Sequence, residues 1–315
     1  MNLAAIDIGT NSTRLLISSF TNGKFKTVKR KMEITRIGKG IKDSGNISEE
    51  QALVTINILK KYKSLMDKFK VEHYLAVGTS ALRRASNCKE FIKKTFDEAE
   101  IKLEIISGLK EAEFSFYGAL KSLKLQKNLK IPEKILIADI GGGSSEFILG
   151  NKYSDIMLVK SLDIGCVRSS EDYLKSDPPQ KQEIMLLNKK ISERIKKDLR
   201  AFKAHEDFIL IGLAGTISSL ASIALKLKKY KMEKINYYQL DIKKIKDIFE
   251  NMCDLGLQDR KKVTGLDPKR ADVIIGGIAI VIAVMEYFEK DKILVSENDI
   301  LDGILDGIIY SLPIF

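Results

Sequence analysis

Two stretches of the chain carry an aspartate inside an apolar run: Ala5–Ile17, AIDIGTNSTRLLI, and Ile137–Leu149, IADIGGGSSEFIL. In each, a carboxylate (Asp7, Asp139) is followed at once by a turn of small and polar residues and then by a second apolar run. Gly9-Thr10-Asn11-Ser12 and Gly141-Gly142-Gly143-Ser144-Ser145 are suited to cradle a phosphate. Glycine lets backbone N–H groups approach an anion, and neighbouring hydroxyls add donors. A carboxylate just upstream can hold Mg²⁺ directly or through water, so that the ion shares the phosphate's charge. One such turn is equally well explained as a hairpin, because Asp, Asn and Gly favour turns for backbone reasons. Two in register call for more.

Aligning Asp7 with Asp139 matches Asp-Ile-Gly and sets Ser12 on Ser144, 132 residues apart. Val77-Gly78-Thr79 has an echo in Ala214-Gly215-Thr216, with Thr79 and Thr216 137 residues apart. Two matches at nearly one spacing imply a duplication. The expected fold is α/β: two domains of one topology, each a mixed sheet flanked by helices, facing each other across a cleft with a glycine turn from each on its wall.

The elements follow that plan. Leu3–Gly9 and Ser12–Phe20 read as a hairpin, Lys24–Ile37 as a third strand or a strand pair, and Ser48-Glu-Glu-Gln51 as a capping box opening a helix to about Phe69. A strand at His73–Val77, a helix at Ala81–Asp97, a strand at Leu103–Ile106 and a helix at Lys110–Leu123 complete the first half. Residues 124–134 read as a linker, after which the order restarts with strands at Ile135–Ile140, Ser145–Leu149 and Met157–Leu162. Later helices are expected at about Gln180–Lys203, Thr216–Leu227, Asp241–Cys253, Arg270–Glu289 and Asp299–Ser311, with strands at Phe208–Leu213 and Lys292–Val295. The domains are placed at 1–125 and 126–297, with the last helix, about 298–315, packing back on the first. Crossings near 124–134 and 296–299 would let the domains hinge around substrate.

The bulk properties narrow the classes. At 315 residues, 44% hydrophobic and 30% charged, the chain fits two globular domains. A net charge of +11 suits an anionic partner, although lysine runs such as Lys189-Lys190 read equally as solvated helix faces. Three scattered cysteines imply no disulfide framework and a reducing, cytoplasmic setting, and two histidines leave no basis for a histidine metal site. No signal-peptide pattern opens the sequence. The longest apolar run, Val273–Met285, has 13 residues, too few to span a bilayer, and reads as a buried helix.

The paired loops resemble those of the actin, Hsp70 and sugar-kinase superfamily, whose domains are ribonuclease H-like. Within it the chain resembles the exopolyphosphatase and guanosine pentaphosphate phosphohydrolase family. DIGTNSTRLLI is similar to that family's first phosphate loop, Gly78–Asn87 matches GTxALRxAxN, Ile106–Ala112 resembles ISGxEEA, and Asp139–Glu146 matches DIGGGSxE. Arg270-Ala-Asp-Val-Ile274 and Gly303 also fit. Lys110, Ala214, Leu301 and Asp302 depart from the pattern, Ala214 standing where glycine is usual. The chain resembles the short two-domain form, without the helical domains that longer members append.

The resemblance implies roles. Glu111 would be the catalytic glutamate that positions and deprotonates water; by its residues alone it reads as an acid in a first helical turn. Arg83 joins it as catalytic. Asp7, Asp139 and Glu146 would hold Mg²⁺ or another divalent cation, and no organic cofactor is implied. Gly9, Thr10, Asn11, Ser12, Gly141, Gly142, Gly143, Ser144, Ser145, Gly215 and Thr216 would bind phosphate. Arg14 and Arg270 are open to a phosphate clamp or a structural role. The implied substrate is a polyanion: inorganic polyphosphate, whose terminal phosphate is released, or alternatively guanosine pentaphosphate. A sugar-kinase-like phosphotransferase is a third reading. A nucleic-acid-binding protein without activity is a fourth, disfavoured by dispersed basic residues and no recognised motif. No membrane partner is expected, and dimerisation through a helix face is left open.

Overall fold

The computed structural model describes residues 1–124, 131–205 and 207–311. The expected linker and the boundary at 125/126 fall largely or wholly outside these residues, as does the end of the last expected helix, 312–315.

In chain order the first elements are β1 (Asn2–Ile8), β2 (Ser12–Thr21), β3 (Lys24–Ile34), α1 (Ile41–Ser44), α2 (Glu49–Lys68), β4 (His73–Gly78), α3 (Ser80–Arg84), α4 (Cys88–Ala99), β5 (Leu103–Ile105) and α5 (Gly108–Lys124). Next come β6 (Lys134–Ile140), β7 (Ser145–Asn151), β8 (Ile156–Leu162), α6 (Cys166–Tyr173), α7 (Lys181–Asp198), β9 (Phe208–Leu213) and α8 (Ala214–Ala224). The chain closes with α9 (Met232–Ile235), β10 (Gln239–Asp241), α10 (Ile242–Asp254), α11 (Leu257–Arg260), α12 (Ile274–Tyr287), β11 (Lys292–Val295) and α13 (Ile300–Ser311). Two compact units result, one of Met1–Ala119 with the chain from Asp299 onward, the other of Leu120–Asn298.

The first unit is built on a sheet of order β3-β2-β1-β4-β5. β1, β2 and β3 run antiparallel to their neighbours, while β4 and β5 continue from β1 in parallel. β1 is buried on both faces. Ala4, Ile6 and Ile8 pack with Ile56 and Leu59 of α2, while Leu3 and Ala5 pack with Ile300, Ile304 and Ile308 of α13. The two-residue period of a strand therefore places Asp7 on the α13 face. Ser48 accepts the Gln51 N–H at 3.3 Å and so starts α2 as its sequence implies.

The second unit repeats this order as β8-β7-β6-β9-β11, with β10 added antiparallel at the edge. β6, β7, β9 and β11 keep the directions of β1, β2, β4 and β5, so both units are ribonuclease H-like α/β folds. The apolar run Val273–Met285 is the body of α12, buried against α6, α7 and α10. Its fully buried isoleucines, Ile274, Ile275, Ile278 and Ile280, each contribute about 1.5–3 kcal/mol by leaving water. Among the described residues no helix is long and apolar enough to cross a membrane.

Three expected helices are interrupted. The one at Gln180–Lys203 ends as α7 at Asp198 and is followed by a 3₁₀ turn over Arg200–Ala204. The one at Ala81–Asp97 breaks into α3 and α4, because the Asn87 side chain exchanges hydrogen bonds with both backbone groups of Ile47 (each 2.9 Å). The one at Arg270–Glu289 begins instead as a 3₁₀ turn at Pro268–Arg270, capped by Asp267 through the Lys269 N–H, and α12 starts only at Ile274.

Candidate active site

Both glycine turns close in the same way. Gly9 N–H donates to Ser12 O and Gly141 N–H to Ser144 O, each at 3.0 Å. In the first turn the carbonyls of Thr10 and Asn11 accept from Gly38 N and Arg36 N, each at 3.0 Å. A trans peptide sets N–H opposite C=O, so the N–H groups of Asn11 and Ser12 turn away from that support. Thr10 Oγ1 and Asn11 Nδ2 are buried without a hydrogen-bond partner, in residues only 6% exposed. An unmet donor costs about 1–3 kcal/mol, and phosphate oxygens are acceptors of the kind both lack.

The second turn is carried by α6. Cys166 N donates to Gly141 O (2.9 Å), and Val167 N and Arg168 N donate to Gly142 O (2.9 and 3.2 Å). The same planarity turns the Gly142 and Gly143 N–H groups away from α6, as a nest for an anion. A Cβ on Gly165 would stand 2.4 Å from Gly142 O, so α6 can approach only because residue 165 lacks a side chain. Ser145 is buried, and its hydroxyl donates to Ile164 O at 2.7 Å, which makes it an anchor of the turn.

The two units differ at one register position. Asp7 faces Arg14 across β1 and β2, whereas Asp139 faces Glu146 across β6 and β7. Arg14 donates to Asp7 Oδ2 from Nε (2.9 Å) and Nη2 (2.6 Å), and from Nη1 to Asp299 Oδ2 (2.5 Å). Burial pushes the Asp7 carboxyl above its ordinary value, with Arg14 opposing the rise. At Asp299 burial also acts upward but is outweighed by Arg14, Arg30 and the Leu301 N–H, which hold its carboxyl below the usual range. In the second unit two buried carboxylates share one position, and Ser161 Oγ donates to Glu146 Oε1 at 2.8 Å. Carboxylate oxygens are the donors a hard cation takes. Among the described residues no three His, Cys, Asp or Glu side chains gather into a metal group. Asp139 and Glu146 nevertheless fit Mg²⁺, which commonly keeps water and substrate oxygens as its other ligands.

Glu111 lies in the first turn of α5, its N–H bonded to Ser107 O at 2.9 Å. Arg83 of α3 donates from Nη1 to Glu111 Oε2 (2.7 Å) and to Ile106 O (3.0 Å). The arginine thus fixes the glutamate to the strand that precedes it. The Glu111 side chain is 13% exposed. Glu113 is 40% exposed and pairs with Lys110 at 2.9 Å.

The turn Ala214-Gly215-Thr216 opens α8. Ala214 has φ 69°, a left-handed conformation that glycine adopts without penalty. A Cβ on Gly215 would fall 2.0 Å from Arg270 Nη1, so the buried guanidinium occupies the place of a side chain there. Thr216 is buried, and a Cβ on Gly277 would stand 2.5 Å from its hydroxyl. Burial pushes the neighbouring Cys166 thiol up, against Arg270 and a Thr216 hydrogen bond.

The sequence reading missed Asp299, Ser161 and the Arg30–Asp302 pair, which closes at 2.6 Å. For Asp299 and Asp302 the one signal was acid density in Ser296–Gly303, which says nothing about partners 285 and 272 residues away.

The profile of the Ppx/GppA phosphatase family matches residues 16–312. A Fusobacterium nucleatum protein named bifunctional 3-dehydroquinate synthase/phosphatase is 39% identical over 97% of this chain, which spans only 46% of that protein. Exopolyphosphatase 2 of Mycobacterium tuberculosis is 33% identical over 96% of this chain and 97% of its own length. The solved structure of the Aquifex aeolicus PPX-GPPA enzyme is 33% identical, with a TM-score of 0.81 over 98% of this chain and 99% of that one.

Proposed function

The chain belongs to the Ppx/GppA phosphatase family, and on that premise we propose that it is an exopolyphosphatase, hydrolysing the terminal phosphoanhydride of inorganic polyphosphate to release orthophosphate. The observation that carries this substrate is the overlap, nearly complete in both directions, with a relative named exopolyphosphatase.

In this reading Glu111 takes a proton from the water that attacks the terminal phosphorus. The new P–O bond forms as the bridging P–O bond breaks, leaving a chain one phosphate shorter. Arg83 holds one oxygen of Glu111 and so limits the directions the carboxylate can face. Asp139 and Glu146 would hold a divalent cation, which when bound offsets charge on the transferred group. The N–H groups of the two glycine turns, with Thr10 and Asn11, bind phosphate oxygens. Arg14 and Arg270 act by shaping their turns.

The test is phosphate release from long polyphosphate, short polyphosphate, guanosine pentaphosphate and ATP, at matched concentration with Mg²⁺. Polyphosphate is expected to be the fastest substrate. Faster turnover of guanosine pentaphosphate would move the assignment to that phosphohydrolase, and release from none would end it.

A further inference from the structure

Asp299 precedes α13 and makes several contacts within the first unit, among them an ion pair with Arg30 at 4.0 Å. Its Oδ2 accepts from Arg14 Nη1 at 2.5 Å, and Arg14 in turn grips Asp7 Oδ2 with its two other nitrogens. Its Oδ1 accepts the Leu301 N–H at 3.0 Å, which caps α13. Its backbone carbonyl accepts Asp302 N and Gly303 N (3.0 and 3.2 Å) and lies against α5, where a Cβ on Gly118 would stand only 2.0 Å from it. Gly303 meets Phe114 of α5 as closely, since a Cβ there would be 1.9 Å from the Phe114 carbonyl.

Helix α5 carries Glu111 in its first turn, just ahead of Phe114. One residue therefore touches both segments that the proposed chemistry needs in this unit. Its side chain fixes the arginine that holds Asp7 beside the glycine turn, and its main chain sets how near α13 lies to the glutamate's helix. Small errors in such spacing cost rate steeply. We propose that Asp299 is a positioning residue for phosphoanhydride hydrolysis, a bracket that holds the first glycine turn, through Arg14 and Asp7, in register with the helix of Glu111. The inference rests on the reading of the chain as such a hydrolase.

Asp299→Asn separates the parts of the bracket. The amide oxygen can still cap α13 and the backbone contact to Gly118 remains, while the charge facing Arg14 is lost. kcat/KM on polyphosphate is expected to fall roughly tenfold, and in an Arg14→Ala background the same change should cost less than about twofold, because both substitutions break one chain of contacts. Hydrogen exchange is the readout that does not depend on activity. Amides of residues 9–15 should lose more protection in Asp299→Asn than those of α13. Equal losses in the two backgrounds, or unchanged exchange over 9–15 in a folded variant, would overturn the proposal. If the wild-type chain hydrolyses none of the substrates, the exchange measurement still decides whether the bracket exists.

Discussion

Glu111 and Glu113 are two residues apart on α5, and their partners separate them chemically. Glu113 is half in water and paired with Lys110, the i,i+3 contact of a solvated helix face. Glu111 is mostly buried and tied to Arg83, which is tied in turn to the Ile106 carbonyl. Replacing Glu111 with Gln keeps the shape and removes the proposed proton acceptor. Phosphate release should fall by about 10²–10⁴-fold with circular dichroism unchanged, whereas Glu113→Gln should behave like the wild type. Asp299 permits a second prediction, of stability. Its folded carboxyl is held below the unfolded value of about 3.9, so its contribution is complete above that pH and is lost as pH falls through the folded value. At pH 7, Asp299→Asn should destabilise by roughly 1.5–3 kcal/mol, the range for hydrogen bonds to charged groups. In urea unfolding the gap between variant and wild type should narrow steadily below pH 4; a gap constant down to pH 2 would contradict the assigned cause.

At the scale of elements, the hairpins were legible because each needs only local information: apolar alternation, a glycine turn, and a second copy to compare with. The capping box at Ser48 and the buried helix at Val273–Met285 were legible for the same reason. What a sequence hides is an element cut by a distant partner. Asn87 ends α3 by bonding to Ile47, forty residues upstream, and no periodicity within 81–97 reveals it. Likewise Arg14 and Glu146 occupy equivalent positions in the repeat, but their opposite charges acquire meaning only when β1–β2 and β6–β7 set each against an aspartate. Ala214 shows the reverse, a departure visible in sequence that the backbone explains. At φ 69° an alanine carries a left-handed penalty of about 1–2 kcal/mol, partly offset by its smaller loss of backbone entropy. Ala214→Gly should therefore raise the melting temperature by a few degrees, corresponding to about 0.5–1 kcal/mol. Gly165→Ala should act in the opposite sense, because its Cβ would collide with the Gly142 carbonyl and force α6 off the second turn. It is expected to lower both the melting temperature and phosphate release.

For the molecule as a whole, the net charge of +11 acts alongside the local sites and can be distinguished from them by salt. Partly buried pairs such as Arg14–Asp7 and Arg83–Glu111 are largely shielded from mobile ions, so chemistry that depends on them should change little with ionic strength. Attraction between a basic surface and a polyanion is long-ranged and is screened over about 10 Å at 0.1 M salt. The two contributions therefore fall on different kinetic constants. Raising sodium chloride from about 0.05 to 0.3 M should increase KM several-fold for long polyphosphate and less for tripolyphosphate, because the longer chain presents more charge to the same field. kcat for both should stay nearly constant. A KM that responds equally for the two substrates would mean that recognition is confined to the terminal phosphates and that the lysine-rich surface is only a solvated coat. A kcat that falls with salt would place part of the working ion-pair network within reach of solvent.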